Sequence, residues 1–301
     1  MYRKIMGFLE AWKESEHRKP LILQGARQVG KTYSILEFGR TQYENVAYFN
    51  FETNPKLNET FEENISPDYL IPILSHIAGQ TIVTEKTLIV FDEVQLCERA
   101  LTSLKYFCEN APDYHIIVAG SLLGVAVNRA KFSFPVGKVD MKTLYPMDME
   151  EFMLALGEDD LVEQIKKCFQ TDTPLPSALH DAAMQLYRQY LVVGGMPECV
   201  MQFAETKDYI LVRHTQDTIL ASYLNDMSKY NNLNEIKKTR LAYDNITVQL
   251  SKKNTRFQYK LIKKGGRASE FENAIEWLCL SGIVSQVYKV EQIKKPLENY
   301  R

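Results

Sequence analysis

Residues 25–32 read Gly25-Ala26-Arg27-Gln28-Val29-Gly30-Lys31-Thr32, a complete G-x-x-x-x-G-K-[ST] sequence. The apolar run Pro20–Gln24 comes before it, and Tyr33 begins a segment with helical spacing, so the context predicts a strand, a tight turn and a helix. Such a turn presents backbone N–H groups at the positive end of a helix, where phosphate binds. The stretch therefore predicts that residues 25–33 bind a nucleoside triphosphate.

Two side chains of this phosphate loop have predicted chemical roles. The Lys31 ammonium is expected between the β- and γ-phosphates, and the Thr32 hydroxyl is expected to complete the coordination of Mg²⁺. Gly25 and Gly30 permit the turn. An ordinary glycine turn with a surface lysine is the alternative, and the flanking strand and helix argue against it.

The composition is that of an ordinary globular protein, with 301 residues, 45% hydrophobic and 25% charged. We expect two or three domains and a cytoplasmic location, because the N-terminus is too charged for a signal peptide and no run approaches the ~18 apolar residues of a membrane span. The five cysteines contain no C-x-x-C pair and are expected to be reduced and structural. The five histidines are scattered, so the only expected metal is the Mg²⁺ that accompanies the nucleotide.

A second apolar segment ends in two carboxylates. Residues 86–91 show no polar alternation, as expected for a strand covered on both faces, and Asp92 and Glu93 follow directly. At the carboxyl end of a parallel strand both groups would lie at the rim where the phosphate loop sits. We expect Asp92 to hold Mg²⁺ through a water and Glu93 to orient and polarise the attacking water. Acidic residues in a solvated loop are the alternative.

Further strands are predicted at 46–51, 115–119 and 139–145, with a polar connection over 54–66. Strands alternating with helices predict an α/β fold, a P-loop NTPase core whose parallel sheet is flanked by helices. Ser121 follows the fourth strand and is our candidate to contact the γ-phosphate or the attacking water. A turn serine that caps the next helix is the alternative.

Beyond residue 157 the strand pattern stops. We predict an ATPase core over 1–157, a helical lid over 158–230 and a winged-helix-like basic domain over 231–301, whose two helices precede a strand at Gly282–Val290. The Gly194-Gly195-Met196-Pro197 stretch is interpreted as a corner between helices, since no Lys-Ser/Thr pair follows it.

The charge is unevenly distributed along the chain. Residues 229–301 contain 15 Lys/Arg and 7 Asp/Glu, net +8, which leaves net −10 for residues 1–228. The segment 251–267 has seven cations, no acid and two aromatic residues, so weak DNA binding without sequence preference is a hypothesis, and a solvated charged face is the alternative. The cations are Lys252, Lys253, Arg256, Lys260, Lys263, Lys264 and Arg267.

With these motifs placed, the chain resembles prokaryotic predicted ATPases of the AAA+ superfamily, the family whose ATPase core precedes a C-terminal domain of unknown function, DUF4143. The resemblance rests on the phosphate loop, Asp92-Glu93-Val94-Gln95, Ala119-Gly120-Ser121, Tyr190-Leu191-Val192-Val193-Gly194-Gly195-Met196-Pro197-Glu198 and Gly282-Ile283-Val284. It implies binding of ATP over GTP and hydrolysis that drives a conformational switch. It leaves a homo-oligomer or a protein partner open.

The chain departs from that family in two ways. Family members often have Gly-Arg near the start of the fifth strand, whereas this chain has Gly137-Lys138, so Arg129 or Lys138 would replace a trans-acting arginine only in part. Members also continue well past residue 301, so we expect a shortened protein or a fragment. Two other function classes stay open: a P-loop kinase for a small molecule, and a regulatory or nucleic-acid-binding module with little turnover.

Overall fold

The structure, a computed structural model, describes residues 1–120, 134–229, 233–252 and 256–288. The chain divides into two compact units, Met1–Tyr223 and Leu224–Arg301. The finer division into core, lid and basic domain stays a prediction. Within the described ranges, no helix combines the length and the apolar character that crossing a membrane requires.

The first unit is built on a five-stranded sheet in which every pair of neighbouring strands is parallel. In chain order its strands are β1 (Leu21–Gln24), β2 (Asn45–Asn50), β3 (Thr87–Asp92), β4 (His115–Gly120) and β5 (Asp140–Thr143). Their order across the sheet is β2-β3-β4-β1-β5. Strands β3 and β4 are buried along their whole length, which is why their sequences lack polar alternation. The predicted α/β fold is confirmed.

Helices flank this sheet and extend beyond it. They are α1 (Ile5–Lys13), α2 (Lys31–Gln42), α3 (Lys56–Glu63), α4 (Pro67–Ala78), α5 (Glu98–Asn110), α6 (Met149–Ala155), α7 (Asp159–Gln170), α8 (Ser177–Val193), α9 (Pro197–Thr206) and α10 (Tyr209–Lys229), the last of which continues into the second unit. Helix α6 begins after Asp148, and α8 and α9 meet at the predicted glycine corner.

The prediction of a polar connection over 54–66 is wrong in part, because residues 56–63 form helix α3. Within α3 only Leu57 and Phe61 are strongly apolar, but their i, i+4 spacing places both side chains in the core, at 1% and 0% exposure. The Phe61 ring lies 5.6 Å from that of Phe51 and 5.5 Å from that of Phe91, centroid to centroid. Tertiary packing therefore forms a helix that the local sequence pattern does not indicate.

The second unit is helical in its described part. Besides the end of α10 it contains α11 (Leu233–Leu250), a short 3₁₀ turn at Tyr259–Leu261 and α12 (Ala268–Leu280), which buries Phe271, Ile275 and Leu278. The predicted strand at Gly282–Val290 is wrong over residues 282–288, which form a turn and irregular chain, and its last two residues lie outside the described ranges. The described residues thus contain no wing.

One buried arginine near the N-terminus joins four segments of the first unit. The Arg3 guanidinium, 4% exposed, pairs with Glu151 Oε1 at 3.1 Å and donates to the carbonyl oxygens of Val29 and Tyr145, each at 2.8 Å. Glu151 is itself part of the capping box with Asp148 at the start of α6. Arg3 therefore fixes the N-terminal arm, the phosphate loop, the chain after β5 and α6 relative to one another.

Replacing Arg3 is expected to destabilise the first unit strongly. Arg3→Ala leaves the Glu151 carboxylate buried without its cation, a change that typically costs about 3–5 kcal/mol. The matched control is Arg213→Ala, because Arg213 pairs with Asp217 at 2.8 Å where both side chains are more than half exposed, and such pairs contribute at most about 1 kcal/mol. Urea denaturation followed by circular dichroism measures both; equal losses in the two variants would contradict the structural role of Arg3.

Candidate active site

The phosphate loop lies between β1 and α2, at the predicted position. Gly25 and Gly30 have φ angles of 150° and 90°, and Gln28 has a φ of 64°. A Cβ atom on Gly25 would lie 2.2 Å from the carbonyl oxygen of Leu144, so no side chain fits there. Gly30 is the residue before the first turn of α2, so the loop delivers the chain directly to the N-terminal end of that helix.

Lys31 is folded back onto the loop that precedes it. The residue is 7% exposed, and its ammonium group donates to the carbonyl oxygens of Gly25 at 3.0 Å and Ala26 at 2.8 Å. Burial lowers the pKa of Lys31 to about 8, although the negative charges of Glu93 and Asp92 act in the opposite direction. A polyanion bound at the loop would therefore supply the negative charge that this buried cation lacks.

The end of β3 meets the start of α2 through a hydrogen bond between two predicted site residues. Thr32 Oγ1 donates to Asp92 Oδ2 at 2.8 Å, and Asp92 is 5% exposed. The backbone N–H of Glu93 donates to the other carboxylate oxygen, Oδ1, at 3.0 Å. The hydroxyl and the carboxylate that the sequence predicted to share a metal site are thus in direct contact.

Glu93 has an unusual backbone conformation for a residue with a side chain. Its φ and ψ angles are 52° and 39°, in the left-handed region, and a 3₁₀ turn at Val94–Leu96 follows it. The half-buried carboxylate accepts a hydrogen bond from Gln95 Nε2. This conformation costs about 1–2 kcal/mol in a residue with a side chain, and it makes Glu93 a candidate for a functional role.

Some other predicted site residues of the described structure lie at the surface. Tyr33 lies in the first turn of α2 and is 59% exposed, and the Gln28 side chain is also exposed. The Lys138 ammonium pairs with Glu109 at 2.9 Å on the surface. Ser121 and Arg129 lie outside the described residues, so the roles predicted for them stay predictions.

The Thr32–Asp92 pair has the ligand chemistry that Mg²⁺ requires. Mg²⁺ prefers hard oxygen donors, keeps several waters and is usually bound by one or two protein groups together with substrate phosphates. No cluster of three or more His, Cys, Asp or Glu able to hold a metal exists among the described residues. A hydroxyl beside one carboxylate fits a cation that phosphate and water coordinate for the most part.

Sequence reasoning missed residues that support the phosphate loop from distant segments. The Tyr223 hydroxyl, from α10, donates to the carbonyl oxygen of Arg27 at 2.8 Å. Arg3 holds the carbonyl oxygen of Val29. Nothing in the local pattern around either residue indicates this contact.

The glycine corner between α8 and α9 packs against the chain that follows β5. A Cβ atom on Gly195 would lie 2.1 Å from the carbonyl oxygen of Met147, and the Tyr190 hydroxyl donates to that same oxygen at 2.8 Å. Pro197 lies 3.7 Å from the Cβ position of Gly30. The Tyr190–Glu198 stretch, which the resemblance singled out, is therefore part of the surroundings of the loop.

Comparisons with known proteins agree with this geometry for the first part of the chain. Residues 17–153 match the family model of an AAA domain, AAA_14, and residues 184–299 match a domain of unknown function, DUF8612. The expected relation to DUF4143 is wrong, since the C-terminal match is to DUF8612. No curated protein matches the chain.

Solved structures with a similar fold are distant in sequence. A Walker-type ATPase of Pyrococcus abyssi is 14% identical with a TM-score of 0.54, over 93% of this chain and 89% of that one. The ORC2 protein of Aeropyrum pernix, solved in ADPNP–ADP complexes, is 12% identical with a TM-score of 0.45, over 94% and 87% of the two chains. The first of these likenesses supports the fold alone. Together with the sheet, the phosphate loop and the AAA match, it shows that the N-terminal part of this chain has the fold of an AAA-type P-loop ATPase domain.

Proposed function

We propose that the AAA-type domain binds ATP with Mg²⁺ and hydrolyses it, and that turnover drives a conformational switch. The observation that carries this proposal is the 2.8 Å hydrogen bond between Thr32 and Asp92, which brings the phosphate loop and the carboxyl end of β3 together. If the glycine turn were an ordinary connection, nothing would require contact between Thr32 and Asp92, which are 60 residues apart in sequence. The fold supports nucleotide binding, and hydrolysis is the proposed step beyond it.

Each residue has one proposed task. The backbone N–H groups of residues 25–33 surround the phosphates, and Lys31 exchanges its bonds to the loop carbonyls for bonds to the β- and γ-phosphate oxygens. Thr32 would hold Mg²⁺ directly and Asp92 through a water; when bound, Mg²⁺ neutralises charge on the phosphate oxygens. Glu93 orients a water for attack on the γ-phosphorus and accepts its proton. Products are ADP and inorganic phosphate.

A P-loop kinase would use the same loop but would need a second substrate as phosphate acceptor. The carboxylate of Glu93, beside Asp92 at the end of β3, favours water as the acceptor. Release of inorganic phosphate from ATP without any added acceptor distinguishes an ATPase from a kinase, because a kinase should release almost no phosphate under that condition.

Lys31→Ala is expected to abolish nucleotide binding. The loss of a charge-assisted contact with two phosphates should weaken ATP binding by at least about a hundredfold. Calorimetric titration with a non-hydrolysable ATP analogue measures the affinity. Lys86→Ala is the control, since the Lys86 ammonium forms an exposed pair with Glu44, outside the phosphate loop; similar affinities for the two variants would exclude the role proposed for Lys31.

Glu93→Gln is expected to keep nucleotide binding and lose turnover. The amide has the shape of the carboxylate but cannot accept the proton of the attacking water, so kcat should fall by about 10²–10⁴ while affinity stays within about twofold. Steady-state phosphate release and the same calorimetric titration separate the two quantities. Phosphate release at the wild-type rate would remove Glu93 from the chemistry.

A second proposed activity is weak DNA binding through residues 251–267. The observation in its favour is that cations of this segment are exposed, namely Lys252, Arg256, Lys260, Lys264 and Arg267, and no acid lies among them in sequence. Lys263 is also exposed, but its ammonium pairs with Glu270 at 3.2 Å. Lys260 and Lys264 are therefore better probes than Lys263, which already has an acidic partner.

The double variant Lys260→Glu, Lys264→Glu is expected to weaken binding to a duplex DNA of arbitrary sequence by more than about tenfold at low salt. If both cations contact phosphates, the slope of log affinity against log salt should fall by about 0.9 for each. Fluorescence anisotropy at four salt concentrations measures this slope. Lys207→Glu with Lys237→Glu changes the charge equally outside the segment, and an equal loss there would mean that the segment is only a solvated charged face.

A further inference from the structure

The hydroxyl of Tyr48 lies in the same hydrogen-bonded group as Thr32 and Asp92. Tyr48 Oη donates to Asp92 Oδ2 at 2.7 Å, the same oxygen that accepts from Thr32 Oγ1 at 2.8 Å. No feature of the sequence motifs points to Tyr48. It belongs to β2, the edge strand beside β3.

The register of the two strands explains why this contact forms. Asn50 is aligned with Asp92 and Tyr48 with Val90, so Tyr48 and Asp92 are diagonal neighbours on one face of the sheet. Diagonal positions are about 7–8 Å apart at the backbone, a distance that a tyrosine side chain spans. The contact is therefore set by the backbone pairing of β2 and β3.

The phenol is also held from its other side. Asn50 Nδ2 donates to Tyr48 Oη at 3.2 Å, and Asn50 Oδ1 accepts from the backbone N–H groups of Glu52 at 2.8 Å and Thr53 at 3.0 Å. Burial raises the pKa of Tyr48 to about 12, the bond from Asn50 opposes this rise and the Asp92 charge adds to it. At neutral pH the hydroxyl keeps its proton and remains a donor.

A count of acceptor sites shows what these contacts do to Asp92. An ionised carboxylate accepts about four hydrogen bonds. Among the described donors, Thr32 and Tyr48 fill Oδ2, and the N–H of Glu93 fills one site on Oδ1. The remaining acceptor site is on Oδ1, and this oxygen would accept the hydrogen bond of a water bound to a metal.

We propose that Tyr48 is a positioning residue of the magnesium site, which fixes the rotation of the Asp92 carboxylate so that Oδ1 faces the metal-bound water. This inference rests on the proposed function and names one more residue of the same site. Without Tyr48, Thr32 is the one side chain in the described structure that holds Oδ2, and Thr32 must also serve the metal.

The test is the Mg²⁺ dependence of nucleotide binding by Tyr48→Phe, which removes one oxygen from a residue that is 38% exposed. The affinity for a fluorescent non-hydrolysable ATP analogue is measured in EDTA and across a Mg²⁺ titration. We expect the half-saturating Mg²⁺ concentration to rise about tenfold, the scale of one hydrogen bond to a charged group, and the affinity in EDTA to change less than about twofold. Electron paramagnetic resonance of bound Mn²⁺ gives a second reading of the metal site.

Two further variants make the result specific. Tyr43→Phe removes a half-buried phenol whose hydroxyl lies 2.7 Å from His115 Nδ1, away from the site, and should leave the Mg²⁺ dependence unchanged. In an Asp92→Asn background, Tyr48→Phe should have little additional effect, because its action passes through that carboxylate.

The outcomes separate this inference from the proposed function. A wild-type chain that binds no nucleotide, with or without Mg²⁺, overturns both. If the wild type shows Mg²⁺-dependent binding but Tyr48→Phe behaves like Tyr43→Phe, or loses as much affinity in EDTA as in Mg²⁺, the role of Tyr48 is wrong and the proposed function stands.

Discussion

The hydrogen bond between Thr32 and Asp92 is the contact around which the first unit is arranged. Thr32 follows β1 and Asp92 ends β3, yet these strands are not neighbours, because β4 lies between them. The two side chains meet only because all three strands are parallel and end at the same edge of the sheet. In open parallel sheets this carboxyl edge is where ligands bind, so the position of the contact follows from the topology.

The phosphate loop at this edge is held largely through its carbonyl groups. The Lys31 ammonium donates hydrogen bonds to the carbonyl oxygens of Gly25 and Ala26. The Tyr223 hydroxyl donates to the carbonyl oxygen of Arg27, and the Arg3 guanidinium donates to that of Val29. Binding of an anion requires the opposite groups, the backbone N–H donors. The bonds from Tyr223 and Arg3 do not compete for the donors that a phosphate needs, and they would remain when Lys31 turns from the carbonyl oxygens to a bound phosphate, which would lower the ordering cost of binding.

The parts of the structure that could be predicted are those with a local signal. The loop, the apolar strands and Asp92 follow from residue spacing, and parallel pairing then brings them together. Tyr48 and Arg3 could not be found in this way, because the partner of Tyr48 is 44 residues away, the partners of Arg3 are 26 to 148 residues away, and only the sheet register and the N-terminal arm bring them close. The β-branched and aromatic residues at 282–288 misled in the opposite direction: such a run forms a strand only where another strand pairs with it, and the described part of the second unit contains none.

Two glycines of the first unit touch the same short segment, residues 144–147, which follows β5. Gly25 leaves room for the carbonyl oxygen of Leu144, and Gly195 leaves room for that of Met147. Both contacts are between backbone atoms, so no flexible side chain lies between them. Because packed protein is nearly incompressible, a shift of one backbone segment also moves the other. The segment thus acts as a stiff spacer between the phosphate loop and the corner of α8 and α9. Inserting or deleting a single residue in this segment would shift the phosphate loop relative to the corner of α8 and α9. Substitutions of its exposed side chains would leave both backbone contacts in place.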